Sequence, residues 1–445
     1  MGPLPARRSA SARSHMPDAR RGWLVIGAAC ALLTTLNACG QAPRGTGSVT
    51  TPTGVGVTPS STVSSAPTQV TASPSGSARP QHGPPFAVLV HQPAWTTSGF
   101  ADGTSYTIAL VAGDGSIAAS ASPHPPSAVT LTFKNCPLIG GSPMPTCQIP
   151  FRPRAPLVTS SNTRAYYLDG DSDVGFLAPD GRSGTAVHLP VDPRVRYAVA
   201  VSPDDSRIAV AAFNYLGSTA YGNPGVRLNI FVQDLAGGNR VDLFSSTTVT
   251  EWPIGWNNGH LIIAVGPGGL VQYTSNNPYY ADEYHVVNAT TGARLATVGG
   301  CVEGPVVRGG AACIFNEPTQ NVLGYRSWDA IRHSFVPQPY SNLQPLALTP
   351  DGNRLAGSTL GQLADQHLDL VSASGVTELE VRGIVQGWLD NEHLVYFTVE
   401  TNKSFILDVV TGVSAAVPQA VPKPLLPDSP DPYLHFLGTV PQQMS

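Results

Sequence analysis

From Ala198 to Phe213 the chain reads AVAVSPDDSRIAVAAF, two runs of small and β-branched residues on either side of a polar turn, Pro203-Asp204-Asp205-Ser206. Short apolar runs bounded by turn residues predict a β-hairpin. The same switch from apolar to polar and back returns down the chain. Aligned on the place of Ser202, it recurs as VTSSNTRAYYL at Thr159, IGWNNGHLIIAV at Trp256, VVRGGAACIF at Arg308, LALTPDGNRLAG at Thr349 and QGWLDNEHLVYF at Trp388, with successive spacings of 43, 54, 52, 41 and 39. A second pattern follows the hairpins, a strand, a Gly-containing turn and another strand: FVQDLAGGNRVDLF, YHVVNATTGARLATV, HLDLVSASGVTEL and FILDVVTGVSAAV.

Hairpin and second pair together make a four-strand unit of roughly 40 to 45 residues, the period of a β-propeller blade. The expected fold is therefore all-β, a propeller of four-stranded antiparallel blades spanning 86–445. Seven blades is the count, with six or eight the alternatives if the first segment is read differently. Blades two to seven fall at roughly 156–190, 194–246, 249–299, 301–338, 342–383 and 384–421. The first blade is irregular. PFAVLVHQ, SYTIALVAG and GSIAASAS, between Pro85 and Ser122, supply three strands, and YLHFLGTV, from Tyr433 to Val440, offers a fourth that closes the ring from the C-terminal tail. Blade five is the weakest repeat, because RSWDAIRHSF lacks the Gly turn of its siblings.

The hairpins SPDDSRIAV at Ser202 and TPDGNRLAG at Thr349 resemble the TolB-like repeats related to WD-repeat propellers, over most of 156–421. That resemblance implies a fold and no particular activity. Trp256 and Trp388 stand where sibling repeats have Ser or Thr, and they read as packing between blades.

Composition agrees with many short strands and turns: charged residues are 12% of the chain, against 45 Gly and 42 Pro. The N-terminus breaks the pattern. Arg20 and Arg21 precede an uncharged run, Gly22 to Leu36, that ends in Leu36-Asn37-Ala38-Cys39-Gly40. This resembles a bacterial lipoprotein signal, in which the chain is cleaved ahead of Cys39 and its thiol is lipidated. About 15 apolar residues are short of the roughly 20 that span a bilayer. Residues 1–38 are thus expected to be a signal peptide, with Met16 an alternative start and the export route open between general secretory and twin-arginine. Residues 39–85 are rich in Thr, Ser, Pro and Gly and are expected to be a disordered tether from the lipidated cysteine.

The chain carries a formal charge of −4, and its first 38 residues hold five Arg and one Asp, which leaves −8 after cleavage. An acidic protein with three lysines, Lys134, Lys403 and Lys423, does not suit nucleic acid. Beyond Cys30 in the signal and Cys39, four cysteines remain: Cys136, Cys147, Cys301 and Cys313. An even set in an exported chain points to disulfides. Three pairings are possible, and the short separations favour Cys136 with Cys147 and Cys301 with Cys313. The first pair staples an excursion at 123–155.

In a propeller the turns joining the first to the second and the third to the fourth strand of each blade share one face, here the turn face. Connections between second and third strands share the other. The long spacings arise from insertions of the latter kind, NYLGSTAYGNPG after Phe213 and GPGGLVQYTSNNPYYADE after Val265. Both fall on one face, called here the insertion face. Tyr215, Tyr221, Asn223, Tyr273, Asn276, Tyr279, Tyr280 and Asp282 mix amphipathic rings with adaptable polar groups, a composition suited to glycan or protein binding. Asp169, Asp171 and Asp173 join them from the corresponding turn of blade two. These alternate carboxylates also resemble the start of a calcium loop, but Val174 stands where Gly is needed and Asp180 where Glu is, so no metal is assigned. No nucleophile elbow, zincin motif or dinucleotide fingerprint occurs, and no cofactor is expected.

The sequence therefore predicts a non-catalytic, lipid-anchored, extracytoplasmic monomer that binds an envelope protein or glycan. The alternative is a propeller hydrolase or lyase acting on cell-wall polysaccharide through carboxylates around the central channel.

Overall fold

The computed structural model describes residues 84–91, 95–96, 99–100, 106–136, 144–151, 155–217, 225–266, 281–301, 305–318, 321–335, 343–359, 366–398, 400–401, 403–418 and 434–444. Contacts divide the chain into units 1–77 and 78–445, and the described residues all belong to the second. Cys39 and the expected signal peptide lie outside them, as does the tether but for its last residues.

Among the described residues every regular element is a strand, and the strands form seven antiparallel blades. Blade three shows the plan. Val195–Val201, Arg207–Tyr215, Val226–Asp234 and Val241–Ser246 pair in sequence order. The hairpin read from the sequence is its first pair, with Val201 opposite Ile208. Burial fades outward, from a first strand almost wholly buried to a fourth that is largely exposed. Blades two, four, six and seven repeat this order, beginning at Val158–Ser160, Thr250–Asn257, Leu343–Leu348 and Ile384–Trp388. Blade five has three paired strands, Ala311–Asn316, Asn321–Arg326 and Arg332–Ser334. Its last turn does without glycine because Ala330 takes the left-handed backbone (φ 66°).

Blade one is built from both ends of the domain. Leu434–Val440 pairs with Phe86–His91, which pairs with Thr107–Val111 and then Ile117–Ala121. The tail strand is the innermost, and it packs on the first strands of blades two and seven. The innermost place in blade one is thereby filled from the C-terminal end of the domain, which closes the ring.

Neighbouring blades are joined through apolar seams and by tryptophans. Trp256 is fully buried and donates its indole N–H to the carbonyl of Ala200 in blade three, 3.1 Å away, while Trp388 donates to Ala347 of blade six at 3.0 Å. The repeat turn explains its own sequence. Asp204 accepts the Ser202 and Ser206 hydroxyls and the Ser206 amide, and Ser202 Oγ accepts the Arg207 amide at 2.9 Å. Asp351 and Thr349 make the same set in blade six. Both disulfides form as the spacing suggested, Cys136 with Cys147 and Cys301 with Cys313.

Candidate functional site

The two faces differ in construction. The turn face carries short turns and the end of the chain. Beyond Val440 the tail crosses the mouth of the axis. The Gln442 amide donates to Ser161 of blade two (2.9 Å), and the Arg308 amide of blade five donates to the Gln443 carbonyl (2.7 Å). Asn257 of blade four donates to the Met444 carbonyl (2.7 Å), and the Gln443 side chain donates to Trp388 and Leu389 of blade seven (2.6 and 2.8 Å). Four blades are thus laced to three residues.

Behind this plug the axis keeps a cavity of about 40 Å³, lined by Val158, Thr159, Ile254, Val306, Thr439 and Met444 among others. Thr159 brings a buried hydroxyl with no protein partner. A few waters fit such a space, which is far below the several hundred Å³ of a small-molecule site. No carboxylate lines it.

The insertion face collects every long connection. Those of blades three and four leave from Tyr215 and Gly266, and 218–224 and 267–280 lie outside the described residues. So do Tyr221, Asn223, Tyr273, Asn276, Tyr279 and Tyr280. Blade one contributes a third connection of this kind, 92–106, with a small strand pair of its own, Trp95–Thr96 with Gly99–Phe100, which sequence reading passed over. The 123–155 excursion adds a hairpin, Val129–Cys136 with Met144–Phe151. Its first strand alternates strictly: Val129, Leu131 and Phe133 are buried, and Thr130, Thr132 and Lys134 are exposed.

Two of the three aspartates of blade two hold that excursion in place. Asp169 accepts the His124 amide (2.8 Å), and Asp171 accepts the Ser127 amide (2.7 Å) and hydroxyl. Arg196, buried at the start of blade three, donates to the Ser127 carbonyl (2.6 Å) and hydroxyl (2.8 Å) and lies 3.3 Å from Asp171. Burial pulls its guanidinium pKa down, and the Asp171 charge opposes that. Asp173 instead meets His188 of its own blade at 2.9 Å. The trio therefore does not converge on one point. Its carboxylates are turned to separate protein partners, and two of them act as a buckle between the excursion and blade two.

Tyr215 occupies a core position. It is fully buried, and its ring lies 6.3 Å from that of Phe151 at the base of the excursion hairpin. It stands under the insertion face as core. Asp282 remains exposed in blade four, its amide held by Val265 at 2.8 Å.

Sequence reading missed the cluster beneath Asp282. Glu251 opens the first strand of blade four, and Glu283 and His285 open its third, Glu283–Asn288. The imidazole of His285 lies 3.5 Å from Glu251 through Nδ1 and 2.8 Å from Glu283 through Nε2. Glu251 and His285 are almost wholly buried, whereas Glu283 is partly exposed. Burial raises the Glu251 carboxyl above the usual range, with His285 pulling the other way. The available signal was Glu283 and His285 two residues apart, and so on one face, in a strand that is otherwise apolar.

No family model matches the chain, and no curated protein matches it. Among solved structures, it is similar to an oligogalacturonate lyase in complex with manganese, at 10% identity and TM-score 0.41, over 74% of this chain and 89% of that one. It is also similar to an acylaminoacyl peptidase of Pyrococcus horikoshii, at 9% identity and TM-score 0.42, over 70% of this chain and 48% of that one. Apo AztD from Citrobacter koseri is matched at 9% identity and TM-score 0.36, over 76% and 83%. Likeness at this level carries no argument about activity.

Proposed function

We propose that the protein is a lipid-anchored, extracytoplasmic propeller, TolB-like in its repeats, that binds an envelope protein or glycan on its insertion face without catalysis. The observation behind this reading is the one-sidedness of the molecule. The connections 92–106, 218–224 and 267–280 and the excursion hairpin all belong to one face, while the other has short turns and the tail. Functional loops on a rigid frame take this form. The first strand of the chain enters at Phe86, opposite Val440 on the turn face. The two disulfides suit an oxidising compartment outside the cytoplasm.

The axial cavity formed by the described residues is small, plugged at the turn face and lined without carboxylates, and so lends a channel-borne hydrolase or lyase no support. Deleting 218–224 tests the binding reading. Leu216 already accepts no gap there: its amide donates to Gly225 at 2.7 Å, so the ends meet in a tight turn. The variant should fold and lose an envelope partner captured by crosslinking in intact membranes; unchanged capture contradicts the site. Cys39→Ala should release the protein or leave it as precursor, and normal membrane retention refutes the anchor.

A further inference from the structure

We propose that Glu251, His285 and Glu283 form a proton-operated clasp at the root of the blade-four connection, which makes the insertion face respond to pH. The proposal deepens the binding role given above and rests on it for its consequence, though its mechanism does not.

The argument starts from hydrogen-bonding capacity. Both nitrogens of the His285 ring face carboxylate oxygens, Glu251 at 3.5 Å and Glu283 at 2.8 Å. A neutral imidazole has one N–H and one lone pair, so it satisfies only one of them. The cluster is satisfied when an extra proton resides in it, on the ring or on a carboxyl group. Without that proton, two carboxylates and a lone pair confront one another where Glu251 and His285 are shielded from water and Glu283 is partly so, which is costly. The charges acting on Glu251 are His285 and Glu283 on the third strand and Arg294 on the fourth. Asp282, next along the chain, is exposed, and the connection 267–280 contains no Asp, Glu, Lys, Arg or His that could supply another charge.

The position gives the cluster leverage. Glu251 pairs with Val265 and Glu283 with the same residue from the other side, and the Asp282 amide is held by the Val265 carbonyl. Val265 and Asp282 thus flank the connection at its root. Trp252 beside Glu251 packs on Gly266, where a side-chain carbon would come within 2.9 Å of the indole ring. Opening the root would expose Glu251 to water and return its carboxyl to the ordinary range. The closed form therefore binds more protons than the open one. Its stability is complete at acid pH and falls as pH rises through the raised value of Glu251.

Amide hydrogen exchange at Asp282 to His285, measured on the folded 78–445 unit within the full chain and referred to blade-seven amides, tests this. In the wild type, protection should fall as pH rises from the ordinary carboxylate range through the raised value of Glu251, by at most about tenfold per pH unit, the limit for one linked proton. Glu251→Gln should flatten the profile, and His285→Gln should move it to higher pH because Glu251 loses its attraction. A flat wild-type profile, or an Glu251→Gln profile with the wild-type slope, overturns the clasp. If exchange behaves as expected but no partner is captured at any pH, the binding role fails and the clasp stands. If a partner is captured equally at both ends of the range while exchange is flat, the clasp alone fails.

Discussion

A single aspartate explains why the repeat turn is written as it is. Asp204 ties three groups of its own turn, and hydrogen bonds, first from Ser202, hold its carboxyl below the usual range despite slight burial. In Asp351 partial burial would raise the carboxyl, but bonds from Thr349 and Asn353 outweigh it and the net direction is down. Groups lowered in this way stabilise the fold above the ordinary carboxylate range and lose that contribution as pH falls through the lowered value. Ser202→Ala leaves the Arg207 amide without its acceptor and should cost about 1 kcal/mol in urea denaturation, with Thr349→Ala costing a similar amount. A loss below a few tenths of a kcal/mol would show that water replaces the hydroxyl. The role of Trp256 and Trp388 was legible, because a large ring in a repeat position otherwise held by Ser or Thr has to fill a seam. That of Tyr215 was not. The apolar run ends at Phe213, but the strand continues for two residues, and strand alternation then turns Tyr215 inward with Phe213 and Ala211.

At the scale of elements, the excursion is the largest departure from the repeat, and blade two is built to carry it. Asp169 and Asp171 bind amides that lie 45 and 44 residues earlier in the chain, a relation that no local spacing displays. Read locally, alternate aspartates look like ligands. In the fold they satisfy the backbone of a segment that has no sheet to join. Asp171→Ala removes the acceptor for Ser127 and the partner of buried Arg196, and should cost about 2 kcal/mol. Its effect should concentrate on protease sensitivity at 129–151, leaving blade-seven amides as protected as before. Uniform loss of protection would mean that the excursion is integral to the ring. The blade boundaries themselves were legible within a few residues except in blade five, whose first paired strand begins at Ala311, since each depends only on local alternation and a turn.

At the scale of the whole molecule, the C-terminus locks the ring twice, as the innermost strand of blade one and as the plug over the axis. The sequence displayed the strand, because LHFLGTV is apolar and one strand was missing. It did not display the plug, because Gln442, Gln443 and Met444 are unremarkable until four blades converge on them. Truncation after Val440 removes those bonds and the burial of Met444, and should cost about 3 kcal/mol while the blades stay paired. An unchanged melting temperature would show the plug to be ornamental. The proposal that the insertion face is the working surface is the central claim. Its most direct test is site-specific photocrosslinking in intact membranes, from Asp282 on the insertion face and from Val410, a 68% exposed residue of a blade-seven turn on the opposite face. The account predicts a discrete adduct from Asp282 and none from Val410. The same adduct from Val410, with none from Asp282, would contradict it.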